Sequence, residues 1–195
     1  MQRVELPICL VPGLRVIEVT SGEEQRLQAF FEANPEYFLA VNGEPAGISE
    51  AREEIHSQVP AGWGFTKKWL LGYLNSEGEF VALANVISDL LASGVWHVGL
   101  FIVSTSRHGS GLARALYHEL ETWAASSGAS WLRLGVVQGN VRAERFWKSQ
   151  GYIEARTREG VEMGKLTNIL RVMFKPLCGG APEQYLTLVQ RDRPE

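Results

Sequence analysis

Residues 95–116 read VWHVGLFIVSTSRHGSGLARAL, and this stretch decides the fold. The run from 95 to 103 is almost entirely apolar, which is typical of a strand that is buried on both faces. Two closely spaced glycines, Gly109 and Gly111, follow it. Apolar side chains then recur at helical spacing, at Leu112, Leu116, Leu120 and Trp123. The stretch therefore predicts a buried strand that passes through a glycine-rich turn into an amphipathic helix.

The chain before this stretch alternates between predicted strands and helices. A run rich in Val and Ile at Leu14–Val19 predicts a first strand, and Ser21–Glu24 has the form of a capping box that opens a helix. A second helix is predicted over Ser49–Val59. The apolar segments Trp69–Leu74 and Glu79–Ile87 flank a turn and therefore predict a hairpin.

The chain after this stretch continues the alternation. Trp131–Val137 predicts a strand, and Val141–Ser149 predicts a short helix. Late strands are predicted at Tyr152–Arg158, Asn168–Lys175 and Tyr185–Gln190. Strands, one long helix, a strand, a short helix and more strands, in this order, predict a mixed α/β fold.

Length and composition limit the class of protein. The chain has 195 residues, of which 45% are apolar, so we expect one domain over residues 1–195. A formal net charge of −3 predicts no binding to nucleic acid or to an anionic membrane surface. No apolar run reaches the length of a membrane span, and Pro7–Leu14 is too interrupted for a signal peptide. We therefore expect a cytoplasmic protein.

The cysteine content also excludes some classes. Cys9 and Cys178 are the only cysteines in the sequence. Two are too few for a disulfide scaffold or for a cysteine-based zinc site. We expect free thiols and no metal.

The glycine-rich turn has the properties of an anion site. At the start of a helix, backbone N–H groups are unpaired and the helix dipole favours negative charge. Gly109 and Gly111 let the backbone approach a ligand closely, and Arg107 and Arg114 are near enough in sequence to add positive charge. A pyrophosphate group suits such a place.

Three other interpretations of the turn are a P-loop, a dinucleotide-binding fingerprint and a turn that binds no ligand. A P-loop requires a Gly-Lys-Ser/Thr ending, which this sequence lacks. A dinucleotide fingerprint requires a small residue where Arg114 stands and an acidic residue where Gln138 stands. A glycine-rich turn that binds nothing remains an alternative, since strand-to-helix turns use glycine routinely.

Two spaced motifs resemble those of a known family. His108-Gly-Ser-Gly-Leu-Ala113 is similar to the Gln/Arg-x-x-Gly-x-Gly/Ala signature of the GNAT superfamily of acyl-CoA N-acyltransferases. Asn140-Val-Arg-Ala-Glu-Arg-Phe-Trp-Lys-Ser-Gln-Gly-Tyr152 resembles a second signature of that superfamily, Asn-x-x-Ala-x-x-Phe-Tyr-x-x-x-Gly-Phe/Tyr. The resemblance covers about Trp96 to Lys175 well and the first 90 residues only in outline.

The resemblance implies a fold and a cofactor. We expect a central sheet that is splayed after the fourth strand, with flanking helices, and acetyl-CoA as the acyl donor. The cofactor-binding half would span about residues 96–175 and the acceptor-side half about 14–95. The backbone near Phe101 would bind the pantetheine arm and polarise the thioester carbonyl. The implied cofactor contacts are Phe101, Ile102, Val103, His108, Gly109, Ser110, Gly111, Leu112, Ala113, Asn140 and Trp147.

The sequence departs from the family pattern at two positions. His108 replaces the usual Gln or Arg, for which its backbone and Arg107 can compensate. Trp147 replaces the Tyr that in many members protonates the departing thiolate, and an indole N–H has no usable acidity near neutral pH. We therefore interpret Trp147 as a packing residue or as a wall against the pantetheine arm, and the general acid is unknown. Asn140 has two alternative roles, as a contact to pantetheine or as the N-cap of the helix that follows it.

The general base is the least determined group. An attacking amine must be neutral, so a base matters more for a lysine-type amine than for an α-amine, whose pKa lies near 8. His97 is a candidate base on the central strand, although a structural role is the alternative. Glu50, Glu53 and Glu54 are candidates for the mouth of an acceptor site, or simply the wet face of a helix.

The function that follows from the resemblance is N-acetyl transfer from acetyl-CoA to a primary amine of a small molecule, amino acid or peptide, by direct attack in a ternary complex. A non-catalytic acyl-CoA-binding or regulatory module on the same fold is the alternative. A nucleotide-binding oxidoreductase is disfavoured by Arg114 and Gln138. A homodimer is an open option, formed by strands after Asn168 that add to a partner's sheet edge.

Overall fold

The computed structural model of the protein describes residues 4–194. Its strands are β1 Arg15–Glu18, β2 Lys67–Leu74, β3 Phe80–Ser88, β4 Val95–Val103, β5 Trp131–Val137, β6 Ile153–Met163 and β7 Leu166–Pro176. Its α-helices are α1 Glu24–Ala33, α2 Glu36–Asn42, α3 Glu50–His56, α4 Leu112–Ser126, α5 Val141–Ser149 and α6 Pro182–Leu188. Short 3₁₀ turns lie at Ser21–Glu23, Thr105–Arg107 and Gln190–Asp192.

The strands form one mixed sheet in the order β1-β2-β3-β4-β5-β7-β6. All neighbouring strands are antiparallel except β4 and β5, which are parallel. The parallel pair exists because α4 returns the chain from the end of β4 to the start of β5, as a crossover connection does. Helices cover both faces of the sheet, which explains why β3 is buried along its whole length.

The core has a separate layer on each face of the sheet. On one face α4 buries Leu116 and Leu120 at helical spacing, and Trp123 makes edge contacts with two further indole rings, those of Trp69 and Trp96. On the other face α1 buries Phe30 and Phe31 together with Leu27. These layers hold β4, the strand at the centre of the sheet, in a fixed position.

The sheet is splayed between β4 and β5. Pairing runs only from Val95 with Trp131 to Val98 with Leu134. Beyond this point β5 pairs with β7 alone and β4 pairs with β3 alone. A β-bulge interrupts the register at this point, because Asn85 pairs with Leu100 and Val86 with Val98, which leaves Gly99 of β4 unpaired, and such bulges bend the strand that carries them. The predicted mixed α/β fold with a sheet splayed after the fourth strand is therefore confirmed.

Two local predictions were wrong, and one helix was not predicted. The segment predicted as a strand at Tyr185–Gln190 begins within α6, because Pro182 starts a helix whose Tyr185 is completely buried. Helix α2 was not predicted, and it packs Phe38 edge-on against Phe31. The capping box lies one residue earlier than predicted, at Thr20, where the carboxylate of Glu23 accepts the Thr20 N–H at 2.8 Å.

The last two strands are longer than predicted and form a hairpin. β6 continues to Met163 because a register shift between Arg158 and Val161 absorbs the irregularity around Gly160, which has a positive φ. β7 lies between β5 and β6, so its edges are already paired. The strand after Asn168 therefore cannot extend a partner's sheet, and the free edge on this side is β6. None of the helices in the described part of the chain combines the length and apolarity needed to cross a membrane.

Candidate active site

Two cavities open where the sheet is splayed. The outer cavity, about 780 Å³, lies between α2, the end of β4, the glycine-rich turn and α5. The splay cavity, about 300 Å³, lies between β4 and β5 and reaches the β6–β7 hairpin. The two cavities share five lining residues, Tyr37, Phe101, Asn140, Ala143 and Trp147.

The glycine-rich turn presents unpaired backbone donors at the start of α4. Gly109 has φ 78° and Gly111, the N-cap of α4, has φ 84°, a conformation that L side chains rarely adopt. Among the described residues, no acceptor lies in range of the backbone N–H groups of Gly109, Gly111, Ala113 and Arg114. A Cβ at either glycine would meet nothing within 4 Å, so the space above the turn is open. These features suit an anion at the helix start.

His108 positions an arginine at this site. Its Nε2 donates to the carbonyl of Val103 at 2.9 Å, and its Nδ1 accepts a short hydrogen bond from Nη1 of Arg142. Both residues line the outer cavity. Arg142 thus supplies the positive charge and long donor that His108 itself lacks. Arg107, which the sequence pointed to, does not line either cavity.

Beyond its pairing with β5, strand β4 directs backbone N–H groups into the gap between the two strands. The N–H of Ser104 donates to Val81 on the β3 side. Donors alternate between the two sides along a strand, so the N–H groups of Phe101 and Val103 point to the opposite side, toward β5. The carbonyl of Val103 accepts from His108 on that same side. Two backbone donors are therefore free for a ligand in the gap.

The structure brings together most of the predicted cofactor residues. Ser110 and Leu112 are not in the cavity walls, because the Ser110 hydroxyl bonds within the turn and Leu112 packs on the core. Gly111 does not line the cavity either, but its positive φ determines the backbone conformation of the turn. The outer cavity is lined by Phe101, Ile102, Val103, His108, Gly109, Ala113, Asn140 and Trp147.

Asn140 and Trp147 have structural roles in α5. The Oδ1 atom of Asn140 accepts from the N–H of Ala143 at 3.3 Å and caps the helix. Trp147 is 8% exposed and makes edge contacts with Tyr117 and Tyr152, whose hydroxyls are hydrogen-bonded at 3.0 Å. Both residues also line both cavities, so a packing role does not remove them from the site.

His97 lies in the wall of the splay cavity beside an ion pair. Nη1 of Arg133 is 3.3 Å from its Nδ1, and Arg133 donates two hydrogen bonds to Asp192, at 2.7 and 2.9 Å. Burial, and next the positive charge of Arg133, lower the pKa of His97 to about 3. His97 is therefore a neutral imidazole that accepts a hydrogen bond at Nδ1.

Of the three acidic residues in α3, Glu54 reaches β3. Its Oε1 accepts from Nδ2 of Asn85 at 2.6 Å, and burial raises the pKa of this carboxyl group. Asn85 is 7% exposed, and its Oδ1 has no hydrogen-bond partner among the described residues. A Cβ at Gly99 would lie 3.7 Å from that oxygen. Gly99 itself lines the splay cavity.

The sequence did not point to several residues of the site. Arg142 contacts His108 across 34 positions, and Asp192 contacts Arg133 across 59. Such pairs depend on how elements pack, although an arginine inside the second signature motif is a signal for Arg142. Within residues 4–194, no group of three or more His, Cys, Asp or Glu side chains is arranged to hold a metal ion.

Comparisons with solved structures agree with this architecture. An acetyltransferase from Thermus thermophilus is similar over 86% of this chain and 99% of its own, with 19% identity and a TM-score of 0.65. The spermidine N-acetyltransferase of Vibrio cholerae, solved with CoA and spermine, covers 84% of this chain and 95% of its own, with 12% identity and a TM-score of 0.63. The ribosomal-protein-S18-alanine N-acetyltransferase of Escherichia coli covers 87% and 97%, with 15% identity and a TM-score of 0.60. At these identities the likeness shows the fold.

Sequence comparison identifies the family. No curated protein sequence matches the chain significantly. The model of the acetyltransferase (GNAT) family, in contrast, matches residues 17–152, more than half of the chain. This match includes the splayed strands, the glycine-rich turn and the second motif. The chain belongs to the GNAT acetyltransferase family.

Proposed function

We propose that the protein transfers an acetyl group from acetyl-CoA to a primary amine by direct attack within a ternary complex. The observation that carries the proposal is the gap beyond Val98 and Leu134, which adjoins the unpaired donors of the glycine-rich turn. A donor molecule with a pyrophosphate at one end and a thioester at the other fits this continuous surface. The acceptor-side half would be about residues 14–95 and the cofactor-binding half about 96–175, in one domain.

In this proposal the pyrophosphate lies over the start of α4. The N–H groups of Gly109, Gly111 and Ala113 face it, and the guanidinium of Arg142 adds a charged donor. The helix dipole contributes in the same direction. His108 is a positioning residue here, because it holds Arg142 against the turn.

The pantetheine arm would lie along the free edge of β4. The N–H groups of Phe101 and Val103 are its donors on one side. Trp147 and Asn140 form the opposite wall. A backbone N–H of β4 near the thioester would polarise the carbonyl and stabilise the oxyanion that forms when the amine attacks.

The acid–base chemistry favours an acceptor amine that loses its proton without a strong general base. A base with a pKa near 3 does not hold a proton taken from an alkyl ammonium group, so His97, the predicted base, would contribute mainly as a hydrogen-bond acceptor. An α-amine with a pKa near 8 is neutral in about one molecule in ten at pH 7. We therefore favour an α-amine over a lysine-type amine.

A non-catalytic acyl-CoA-binding module is the second candidate, and Trp147 supports it because an indole cannot protonate a departing thiolate. Detection of free CoA thiol across an amine panel separates the two. Release of CoA that depends on the amine supports the enzyme. Binding of acetyl-CoA without release in the presence of every amine supports the module.

Cellular location and assembly complete the proposal. We propose a cytoplasmic protein, as the composition predicts. A homodimer would have to use the edge of β6, since β7 is paired on both sides. Sedimentation of the wild-type protein measures the oligomeric state directly.

A further inference from the structure

The far wall of the splay cavity is unusually rich in guanidinium groups. Arg133 and Arg158 line it, and Arg191 lies over the ring of Trp63, another lining residue, at 3.9 Å. The carboxylate that pairs with Arg133 and Arg158 in the described part of the chain is Asp192. Among the described residues, the guanidinium groups of Arg133, Arg158 and Arg191 are therefore grouped around one carboxylate.

Asp192 is already fully engaged. It is completely buried and accepts two hydrogen bonds from Arg133 and one from the hydroxyl of Tyr185 at 2.6 Å. Arg158 reaches the same carboxylate only at 3.3 Å, and Arg191 forms no ion pair with a carboxylate of residues 4–194. Within residues 4–194, Arg158 thus shares its one carboxylate with Arg133, and Arg191 has none within ion-pair distance.

Two buried donors in this cluster have no partner. The Nε atoms of Arg158 and Arg191 are buried and make no hydrogen bond among the described residues. A buried charged donor without an acceptor is costly, so each of these groups needs a partner such as a water molecule, an ion or a ligand. His97, in the same wall, brings no positive charge of its own because Arg133 and burial keep its ring neutral.

The opposite wall offers complementary chemistry for an amine. Gly99 lines this wall without a side chain, and the unpartnered Oδ1 of Asn85 lies 3.7 Å from the position that a Cβ would take there. An amide oxygen accepts a hydrogen bond from an amine and carries no charge. The cavity, at about 300 Å³, is of amino-acid size.

We propose that the acceptor is an amino acid, whose carboxylate binds Arg158 and Arg191 while its amine lies near Gly99 and Asn85. This inference rests on the proposed acetyl transfer and names its substrate class. Guanidinium groups bind carboxylates in paired, charge-assisted hydrogen bonds, which gives the cluster a preference for this anion. The same charges disfavour polyamines.

Matched acceptors test the proposal. For each of phenylalanine, leucine and methionine, kcat/KM for CoA release is compared with that of its carboxamide and of the amine that lacks the carboxylate. The amide keeps nearly the same shape and removes the negative charge; because it also lowers the pKa of the α-amine, kcat/KM is expressed per neutral amine. We expect the acid to exceed both analogues by about tenfold or more. An amide or amine that equals or exceeds the acid would overturn the proposal.

Variants of Arg158 test whether this residue causes the preference for the acid over the amide. Arg158→Gln is expected to lower kcat/KM for the acid about tenfold or more and to leave that of the amide within about threefold, whereas Arg158→Lys retains part of the preference. Arg15→Gln, the same change on the exposed strand β1, is the control and should alter neither. Equal losses for acid and amide in Arg158→Gln would show a structural role and overturn the proposal.

Failure of the reaction itself is distinguishable from failure of this inference. If no acceptor releases CoA, the same acids and amides are titrated into the protein saturated with CoA. Tighter binding of the acid, lost in Arg158→Gln, upholds the carboxylate site even though the proposed transfer fails. Equal or absent binding of both overturns it.

Discussion

Val98 and Leu134 are the last pair of residues that joins the parallel strands β4 and β5. Beyond them each strand continues with a different neighbour, so the sheet opens without losing its hydrogen bonds on the outer sides. The alternation along β4 turns the N–H groups of Phe101 and Val103 toward this opening, and both residues line the outer cavity. Buried backbone donors are normally paired with protein, water or a ligand, so these two donors need a partner in the opening.

The conformation of the glycine-rich turn is expected to determine cofactor affinity. Gly111→Ala places a Cβ on a residue with φ 84°, at a cost of about 1 to 2 kcal/mol, and relief of that strain would move the donors of the turn. We expect the Kd for acetyl-CoA, measured by calorimetry, to rise by about tenfold.

A matched control lies at the other end of the same helix. Gly128 has φ 105° and open space around its Cα, so Gly128→Ala carries similar strain far from the turn. Its thermal midpoint should fall while its Kd for acetyl-CoA stays at the wild-type value. Equal weakening in both variants would mean that the turn has no special role.

Arg142 is expected to contribute a charged contact to the donor. Arg142→Gln removes the guanidinium that His108 holds, and we predict a weaker Kd for acetyl-CoA by about ten- to a hundredfold. Because the proposed contact is to the pyrophosphate, affinity for pantetheine, which carries no phosphate, should change little. Arg145→Gln on the exposed face of α5 is the control. An unchanged Kd in Arg142→Gln would remove this residue from the site.

His97 is expected to make stability depend on pH. Its pKa is lowered to about 3 in the folded protein, so between pH 6.5 and 3 the unfolded chain binds a proton that the folded chain does not. The free energy of unfolding should therefore fall as the pH decreases, by about 2 kcal/mol from pH 7 to pH 5. Urea titrations at the two pH values measure this difference.

The amide of His97→Gln keeps an acceptor for Arg133 and cannot titrate, so that variant should lose most of the difference between pH 7 and pH 5. His118→Gln, on the exposed face of α4, should behave as the wild type. The same pH dependence in His97→Gln as in the wild type would contradict the assignment of a neutral, buried imidazole.

Trp147 is expected to act through packing. Trp147→Phe should retain kcat within about threefold, because no proton passes through the indole, whereas loss of a general acid costs about 10² to 10⁴. Trp147→Ala should lower the free energy of unfolding by about 3 to 5 kcal/mol, since the ring contacts Tyr117 and Tyr152 in the core. A hundredfold drop in kcat for a stable Trp147→Phe protein would refute the packing role.

The parts of the fold that the sequence predicts are those determined by local pattern. The apolar run of β4 and the helical spacing in α4 appear directly in the sequence, and the N-cap of α5 at Asn140 was one of two roles expected for it. Helix α6 was mistaken for a strand because a buried Tyr185 between other apolar residues fits either period over so short a segment. The burial of its ring is decided by Trp131 and Phe174, which are distant in sequence.

The candidate site likewise has one part that is predictable from the sequence and one part that is not. The turn at Gly109 and Gly111 has a motif, so its ligand class is predictable from the residue types. The cationic wall has none, because Arg133, Arg158 and Asp192 come from three separate elements that meet only after the β6–β7 hairpin and the C-terminal segment have packed. The proposed acceptor preference therefore depends on the tertiary structure.

The most direct test of the proposed function is a coupled measurement on the wild-type protein. Acetyl-CoA is titrated into the protein in a calorimeter, and free CoA thiol is then followed with and without each member of an amine panel that includes amino acids. We predict saturable binding of acetyl-CoA and release of CoA only when a suitable amine is present. No binding of acetyl-CoA at millimolar concentration would contradict its role as the acyl donor.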